Sequence, residues 1–478
     1  MLTRLRVQNF KNLRDVEVYF GPLTVIAGPN GVGKSNLLDA IRFLGYTANR
    51  PLAQAARDLR GSGSSPFDVR KLFFSVNDKP VGPMRFEADI ILPPSAKDFL
   101  GQQATPSHRF LRYELDLKLS DDPLSNSPIE IVKEAVSPLS SEHLPAPFIE
   151  SAAGFLSRDA AFSSHFIQTN QSGMLELWHE GLGAWTPVLA NLTNNTSTLV
   201  SRIQAGASPT IAVLQDELKR WCSFQFFPDR LIEPNTLSEQ ATLSPNGQNL
   251  PATLFRLAKA SSATVSGTKN DIDNPVYTRI VAKLRNLVPD LKTIWVNLDA
   301  ASSTIYLMAE DSSGNIFHAS SLSEGTLRLI ALATLKEDRQ STSLITLEEP
   351  ENGIHPNSLV HLQHLLNGIV DVDPDSATQV LISTHSPGLA ALCPENSLLF
   401  ASASPKAFSD KSPNTLRISC LSETWREPLD SPVAKLGDLV TFLGVVPYPE
   451  WADPSNNRKP LAVYEREEFV KYRQQAAL

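Results

Sequence analysis

The residue types with the most evident chemical use lie in the octet Gly28-Pro29-Asn30-Gly31-Val32-Gly33-Lys34-Ser35, which satisfies the pattern G-x-x-x-x-G-K-[ST]. Glycines at those places let backbone N–H groups close around phosphate oxygens, and a helix opening there adds the partial positive charge of its N-terminus. Lys34 would reach the terminal phosphates and Ser35 would ligate magnesium, with Asn30, Gly31, Val32, Gly33 and Asn36 completing the cradle. The plainer reading is a glycine-rich turn that happens to contain Lys-Ser. It loses here because an apolar run, Leu23–Ala27, precedes the octet and a segment with helical apolar spacing, Asn36–Leu44, follows it.

A second constellation is Ser343–Pro350, an apolar strand ending in the carboxylates Glu348 and Glu349. Adjacent acids at a buried strand end are costly unless a cation is present. Alone they would read as a solvated junction. Beside a phosphate loop, Glu348 can hold the magnesium shell through water, and Glu349 can orient or deprotonate an attacking water. Leu322-Ser323-Glu324-Gly325-Thr326 precedes a helix, with Ser323 as its N-cap and neighbouring amides able to bind a further phosphate; in isolation this is an ordinary cap. Leu381–Pro387 ends another apolar strand at His385, which can hydrogen-bond a terminal phosphate at little charge cost, although a lone strand-end histidine is usually structural.

These residues need a sheet to bring them together. Leu23–Ala27, Leu344–Leu347 and Val380–Ser383 are near-continuous apolar runs, the pattern of strands covered on both faces. Leu5 and Val7, then Val16, Val18 and Phe20, alternate with polar residues before the Gly21-Pro22 turn. Met84–Leu92, Phe110–Leu119 and Ile129–Val136 alternate likewise and predict an antiparallel layer. Further strands are expected at Leu291–Leu298 and Thr304–Ala309, and a helix from near Gly325. The Gly/Ser-rich stretch Gly61–Ser65 precedes the antiparallel layer, and from about 140 to 270 the pattern loosens into short helical segments, turns and polar loops such as Asn191–Ser197 and Ser261–Thr268, which reads as an inserted lobe.

The expected fold is therefore α/β: a P-loop core sheet plus an antiparallel β layer, with a mainly helical inserted lobe. The expected organisation is an N-terminal lobe over 1–140, an inserted lobe over 141–290, a C-terminal lobe over 291–420 and a tail over 421–478. No repeat and no long heptad stretch is present.

Composition sets outer bounds. The chain has 478 residues and a net charge of −8, which gives no global attraction to polyphosphate; a nucleic-acid surface would have to be local. Cys222, Cys393 and Cys420 are far apart and lack metal-ligand spacing, which suits a reducing cytoplasm. No apolar run approaches the ~18 residues of a membrane span and no signal core opens the chain, so a cytoplasmic protein without membrane contact is expected.

In their order along the chain, these motifs resemble the ABC-ATPase superfamily, specifically its SMC/RecF/OLD-like branch. Arg6-Val7-Gln8-Asn9-Phe10-Lys11-Asn12 is similar to that family's opening strand, Glu348–Pro356 to its Walker B and D-loop, and Asn246-Gly247-Gln248-Asn249-Leu250 to a segment of its middle region. The resemblance implies ATP and Mg2+ as ligands, Glu349 as catalytic base, His385 as switch histidine, and Ser323 and Gly325 as a signature loop contacting the ATP of a second copy. It implies a homodimer or higher even oligomer, with Asn352 and His355 near the two-fold interface. Glu348 stands where transporters more often have Asp. The glutamine of the Q-loop is open between Gln54, Gln102 and Gln168.

The large separation of P-loop and signature departs from transporter motors, and the missing heptads from long-armed chromosome and repair ATPases. OLD nucleases carry a Toprim nuclease after the ATPase, whereas this chain ends soon after its last expected core strand. Asp371 and Asp373 read as a solvated loop, and His361 and His364 as one helix face lacking a third ligand. The tail, with Leu439–Val446 and Glu465–Arg473, is suited to docking on the core or on another protein. Stand-alone ATPases of this kind occur in bacterial anti-phage systems, where a separate subunit supplies the destructive chemistry. The expectation is thus an ATP-hydrolysing subunit that dimerises around ATP and gates or scaffolds a nuclease or toxin effector in defence. The alternative is a RecF-like DNA-binding ATPase in DNA repair or processing.

Overall fold

The computed structural model describes residues 1–59, 68–97, 101–120, 128–152, 165–189, 196–237, 242–262, 267–338, 342–373, 377–404, 414–429 and 431–443. The Gly61–Ser65 stretch, parts of the Asn191–Ser197 and Ser261–Thr268 loops, and the tail beyond Leu443, including Glu465–Arg473, lie outside the described residues.

The site rests on a six-stranded sheet in the order Trp221–Phe224, Leu344–Glu348, Gln379–Thr384, Leu23–Ala27, Leu398–Ser404 and Thr415–Cys420. Its first five strands are parallel and the sixth is antiparallel. Alternate side chains enter different cores. Ile26, Leu344, Leu381 and Leu399 pack toward the Lys34–Thr47 helix. Val25, Ile345, Leu347, Val380 and Ile382 pack toward the helices Leu250–Ser261, Pro275–Leu284, Glu324–Glu337 and Leu359–Ile369. Burial on both faces is the physical cause of the uninterrupted apolar runs.

The antiparallel layer has eight strands, in the order Ala184–Leu189, Leu175–His179, Ile167–Thr169, Ile129–Pro138, Phe110–Leu119, Met84–Ile91, Leu2–Phe10 and Leu13–Tyr19. Its inner face meets the Lys34–Thr47 helix, where Phe43 lies 6.1 Å from Phe10 and 5.6 Å from Phe86, centroid to centroid. Its outer face is a grid of cross-strand ion pairs. Arg4 pairs with Glu17 and Glu87, Arg6 with Asp15 at 3.0 Å, and Arg112 with Asp89 at 2.7 Å. Arg85 pairs with Asp116 at 3.3 Å, Lys133 with Glu114 at 2.8 Å and Lys118 with Glu130 at 3.2 Å.

The stretch 141–290 departs from the expected helical lobe. Ile167–Thr169, Leu175–His179 and Ala184–Leu189 extend the antiparallel layer, and Trp221–Phe224 joins the core sheet. Its helices Pro209–Lys219, Leu250–Ser261 and Pro275–Leu284 are divided between the two cores. These strands are short, and their partners lie far away in sequence, so periodicity alone under-reports them. Leu398–Ser404 and Thr415–Cys420 were likewise not expected as strands. Leu291–Asp299 and Thr304–Asp311 pair in a separate small sheet with Asn235–Thr236 and Ile316–His318.

The longest described helices, Lys34–Thr47 and Glu324–Glu337, run 14 residues each, too short for a coiled-coil arm. Among the described residues no helix is long and apolar enough to cross a membrane.

Candidate active site

The phosphate-type loop leaves the central Leu23–Ala27 strand, and the Gly28 N–H donates to the Thr384 carbonyl of the adjacent strand at 3.2 Å. Gly33 caps the following helix at φ 116°, a left-handed conformation, and any Cβ there would collide with the side chain of Asn12. Asn12 donates to the Val32 carbonyl at 2.9 Å and accepts from Asn36 at 2.8 Å. One turn further on, Lys11 is ion-paired with Asp39. The turn between the first two strands therefore braces the loop and the helix behind it. Asn30, Gly31 and Ser35 are exposed, whereas Val32 is buried and offers only its backbone.

Lys34 folds back into the concavity, its Nζ donating to the carbonyls of Gly28 at 2.7 Å and Pro29 at 2.8 Å. Burial pushes its ammonium below the ordinary lysine value, and the charges of Glu349 and Glu351 offset part of that. Ser35 donates to Glu348 Oε2 at 2.7 Å, which joins the helix start to the end of the Leu344–Glu348 strand. A hydroxyl and a carboxylate this close could supply two donors of a magnesium site that takes its remaining ligands from substrate and water. Among the described residues no cluster of three or more His, Cys, Asp or Glu side chains is arranged to hold a metal.

Glu349 adopts φ 47°, left-handed for a non-glycine residue, and its N–H donates to the Ser383 carbonyl at 2.9 Å. Its Oε1 lies 2.7 Å from His385 Nδ1, and its Oε2 accepts from Asn352 Nδ2 at 2.8 Å. Burial raises its pKa, but the bonds from Asn352 and His385 and the nearby charges of His385 and Lys34 outweigh that, leaving the carboxyl below its usual range. The arrangement can hold an ionised carboxylate beside a phosphate loop and a hydroxyl–carboxylate cation seat, which are the parts that phosphoryl transfer to water requires.

Ser323 caps the Glu324–Glu337 helix by accepting from the Thr326 N–H at 3.2 Å. Gly325 touches the loop after the acid pair so closely that a Cβ would strike the Gly353 carbonyl. Arg328 on the same helix donates to the Asn352 carbonyl at 2.7 Å. The exposed His355 accepts from the Asn357 N–H at 3.3 Å.

None of Gln54, Gln102 and Gln168 reaches this site. Gln54 is exposed on the Leu52–Asp58 helix, Gln102 is exposed beside a two-residue strand, and Gln168 donates to Glu176 within the antiparallel layer. The glutamine that does is Gln225. Phe224 is in register with Leu347, which brings Gln225 level with Glu348, and both line a cavity of ≈ 220 Å³ with Glu349, Arg328 and Asn352. Pro245 and Asn246, at the start of the Asn246–Leu250 segment, hold this stretch in place, since their carbonyls accept from the N–H groups of Gln225 and Phe227 at 2.8 and 3.1 Å. The signal in the sequence was the aromatic run Trp221–Phe227 ending at Pro228. Asp371 bridges Thr378 just before the Gln379–Thr384 strand and accepts from the Asp373 N–H, at the opposite end of that strand from the site, and His361 and His364 lie on the Leu359–Ile369 helix.

Two families match the chain at this site. The one described as "RecF/RecN/SMC N terminal domain" matches residues 1–59, which include Asn12 and the whole phosphate loop. The one described as "AAA domain, putative AbiEii toxin, Type IV TA system" matches 217–391, which include Gln225, Ser323, the acid pair and His385. Over these two stretches the chain is similar to SMC/RecF/OLD-like ABC-type ATPases. Among curated relatives, this chain is 56% identical over 41 residues, 9% of its length, to the OLD nuclease of Thermus scotoductus. It is 46% identical over 70 residues, 14% of its length, to the DNA replication and repair protein RecF of Magnetococcus marinus. Those stretches span 8% and 18% of the two relatives. The solved SMC head bound to the C-winged helix domain of ScpA aligns with 88% of this chain and 99% of its own, at 13% identity and a TM-score of 0.44.

Proposed function

We propose that this protein is an ABC-type ATPase of the SMC/RecF/OLD-like branch that binds ATP with magnesium, hydrolyses it as a pair of copies, and in the closed pair gates a separate nuclease or toxin effector in anti-phage defence. The observation that carries the hydrolytic part is the Glu349 carboxylate, kept ionised and aimed by His385 and Asn352 next to the Ser35–Glu348 pair. Lys34 and the loop amides bind the phosphates, and Ser35 and Glu348 hold the cation. Glu349 orients a water and takes its proton, and His385 keeps Glu349 in place. Magnesium supplies Lewis-acid stabilisation of phosphate oxygens when bound. Ser323 and Gly325, on the far side of the loop after the acid pair, are proposed to complete the site of the second copy. The unpaired cysteines suit a reducing cytoplasm.

The second reading, a RecF-like DNA-acting ATPase, is favoured by the 70-residue match to RecF. Against it stands the outer face of the antiparallel layer, where arginines and lysines are committed to carboxylates and would have to exchange those partners for phosphates. ATP turnover and native mass, measured for wild type and Glu349→Gln with and without double-stranded DNA, separate the two. Slow, DNA-insensitive turnover with an ATP-dependent assembly supports effector gating; strong stimulation by DNA supports the RecF-like reading. A Glu349→Gln protein that still turned over normally would remove the hydrolytic assignment from both.

A further inference from the structure

We propose that Glu351 is a positioning residue for hydrolysis: through the Thr384 hydroxyl it fixes the turn carrying His385 and links the loop after the acid pair to the phosphate loop. The proposal rests on reading the site as an ATP-hydrolysing one.

Glu351 is 7% exposed and Thr384 is fully buried. The Thr384 hydroxyl donates to Glu351 Oε1 and accepts from the Ser386 N–H at 2.9 Å, so its two bonds bracket His385. The Thr384 carbonyl accepts from Gly28, the first residue of the phosphate loop. With the Glu349–Ser383 backbone bond and the Glu349–His385 contact, the strand ending at Thr384 and the acid loop are tied together at residues 383, 384 and 385 in succession. At its other end the acid loop touches the Glu324–Glu337 helix, through Gly353 against Gly325 and through the Asn352 carbonyl accepting from Arg328. Glu351 thus stands between the helix whose cap would face a second copy's nucleotide and the histidine of its own site.

Packing does not account for a carboxylate here. Glu351 Oε2 is buried without a hydrogen-bond partner, a costly state that an apolar side chain of similar size would avoid. What only a polar side chain supplies at this position is the acceptor for Thr384. Glutamine preserves that acceptor and alanine removes it. Valine at 384 removes the donor from the other side, and serine keeps it.

The experiment is steady-state ATP turnover, with melting curves, on the full chain carrying Glu351→Ala, Glu351→Gln, Thr384→Val or Thr384→Ser. Expected for Glu351→Ala and Thr384→Val is a kcat lower by about 10-fold or more with KM within about 2-fold, the pattern of an interaction that serves the transition state. Glu351→Gln and Thr384→Ser should stay within about 3-fold of wild type in kcat. Wild-type kcat in Glu351→Ala overturns the proposal. So does a parallel loss of kcat, ATP affinity and melting temperature, or failure of both Glu351→Ala and Thr384→Val to fold, because either result makes the contact structural only. Wild-type protein without ATP turnover would instead sink the hydrolytic reading, which the Glu351 variants do not touch.

Discussion

His385 Nδ1 lies 2.7 Å from Glu349 Oε1, and this contact, between residues 36 positions apart, joins the ends of two parallel strands. Because Asn352 takes the other oxygen, each oxygen of the carboxylate has one partner in the protein and a lone pair left for a water. A Glu349→Gln side chain offers one acceptor oxygen and cannot take a proton. Phosphate release should fall by about 100-fold or more, the usual scale of a lost general base, with ATP binding by calorimetry within a few-fold of wild type. Turnover within about 3-fold of wild type would show that Glu349 is not the base.

Asn12 makes two hydrogen bonds that define the phosphate loop, to Val32 and from Asn36, and its side chain abuts Gly33. Asn12→Ala removes both and leaves the Val32 carbonyl to water. Each bond is worth roughly 1 kcal/mol, so the ATP dissociation constant should rise by up to about 30-fold. An unchanged affinity would mean that the loop holds its shape without this brace.

The closeness of Gly325 to the Gly353 carbonyl leaves no room for a methyl group. Gly325→Ala should push the Glu324–Glu337 helix off the acid loop, with a loss of about 1–3 kcal/mol in chemical denaturation. Ser323→Arg tests the same region without touching that contact. The exposed arginine should cost no more stability than the lost cap, about 1 kcal/mol, and abolish turnover if Ser323 serves a second copy's nucleotide; unchanged turnover would end that assignment.

Glu134 is fully buried, and burial pushes its carboxyl up to about 7 even though it accepts from the amides of Leu199 and Val200. With the folded value above the unfolded one of 4.5, the folded chain holds the extra proton between those two values. Stability contributed by this group is therefore fully present below about pH 4.5 and is lost as pH rises through about 7, by at most roughly 3 kcal/mol. Glu134→Gln lacks the titration. Relative to wild type, it should gain stability from pH 5 to pH 8 in guanidinium melts. A difference independent of pH would show that the folded carboxyl is already ionised across this range.

The elements legible in the sequence were those whose signal is contiguous. The Leu23–Ala27 strand, the octet after it and the Lys34–Thr47 helix form one uninterrupted backbone device, so residue types and spacing suffice to read it. The same holds for Leu344–Glu348 with its two acids, and for the Ser323 cap, whose hydroxyl bonds within its own helix turn.

What only the tertiary structure decided is which distant residues come to stand beside those devices. Trp221–Phe224 is four residues long, too short to show a period, and it becomes a core strand only by pairing in parallel with Leu344–Glu348 more than a hundred residues later; that pairing brings Gln225 level with Glu348. Asn12 braces the phosphate loop because a hairpin of the other sheet ends there, and Glu351 meets Thr384 because two strand ends lie side by side. Sequence by itself determined the loop, the acids and the cap, since a helix start or a strand end is built from bonds between near neighbours. The partners of those groups follow from strand order, which is settled by burying both faces of one sheet and leaves no local periodicity to read.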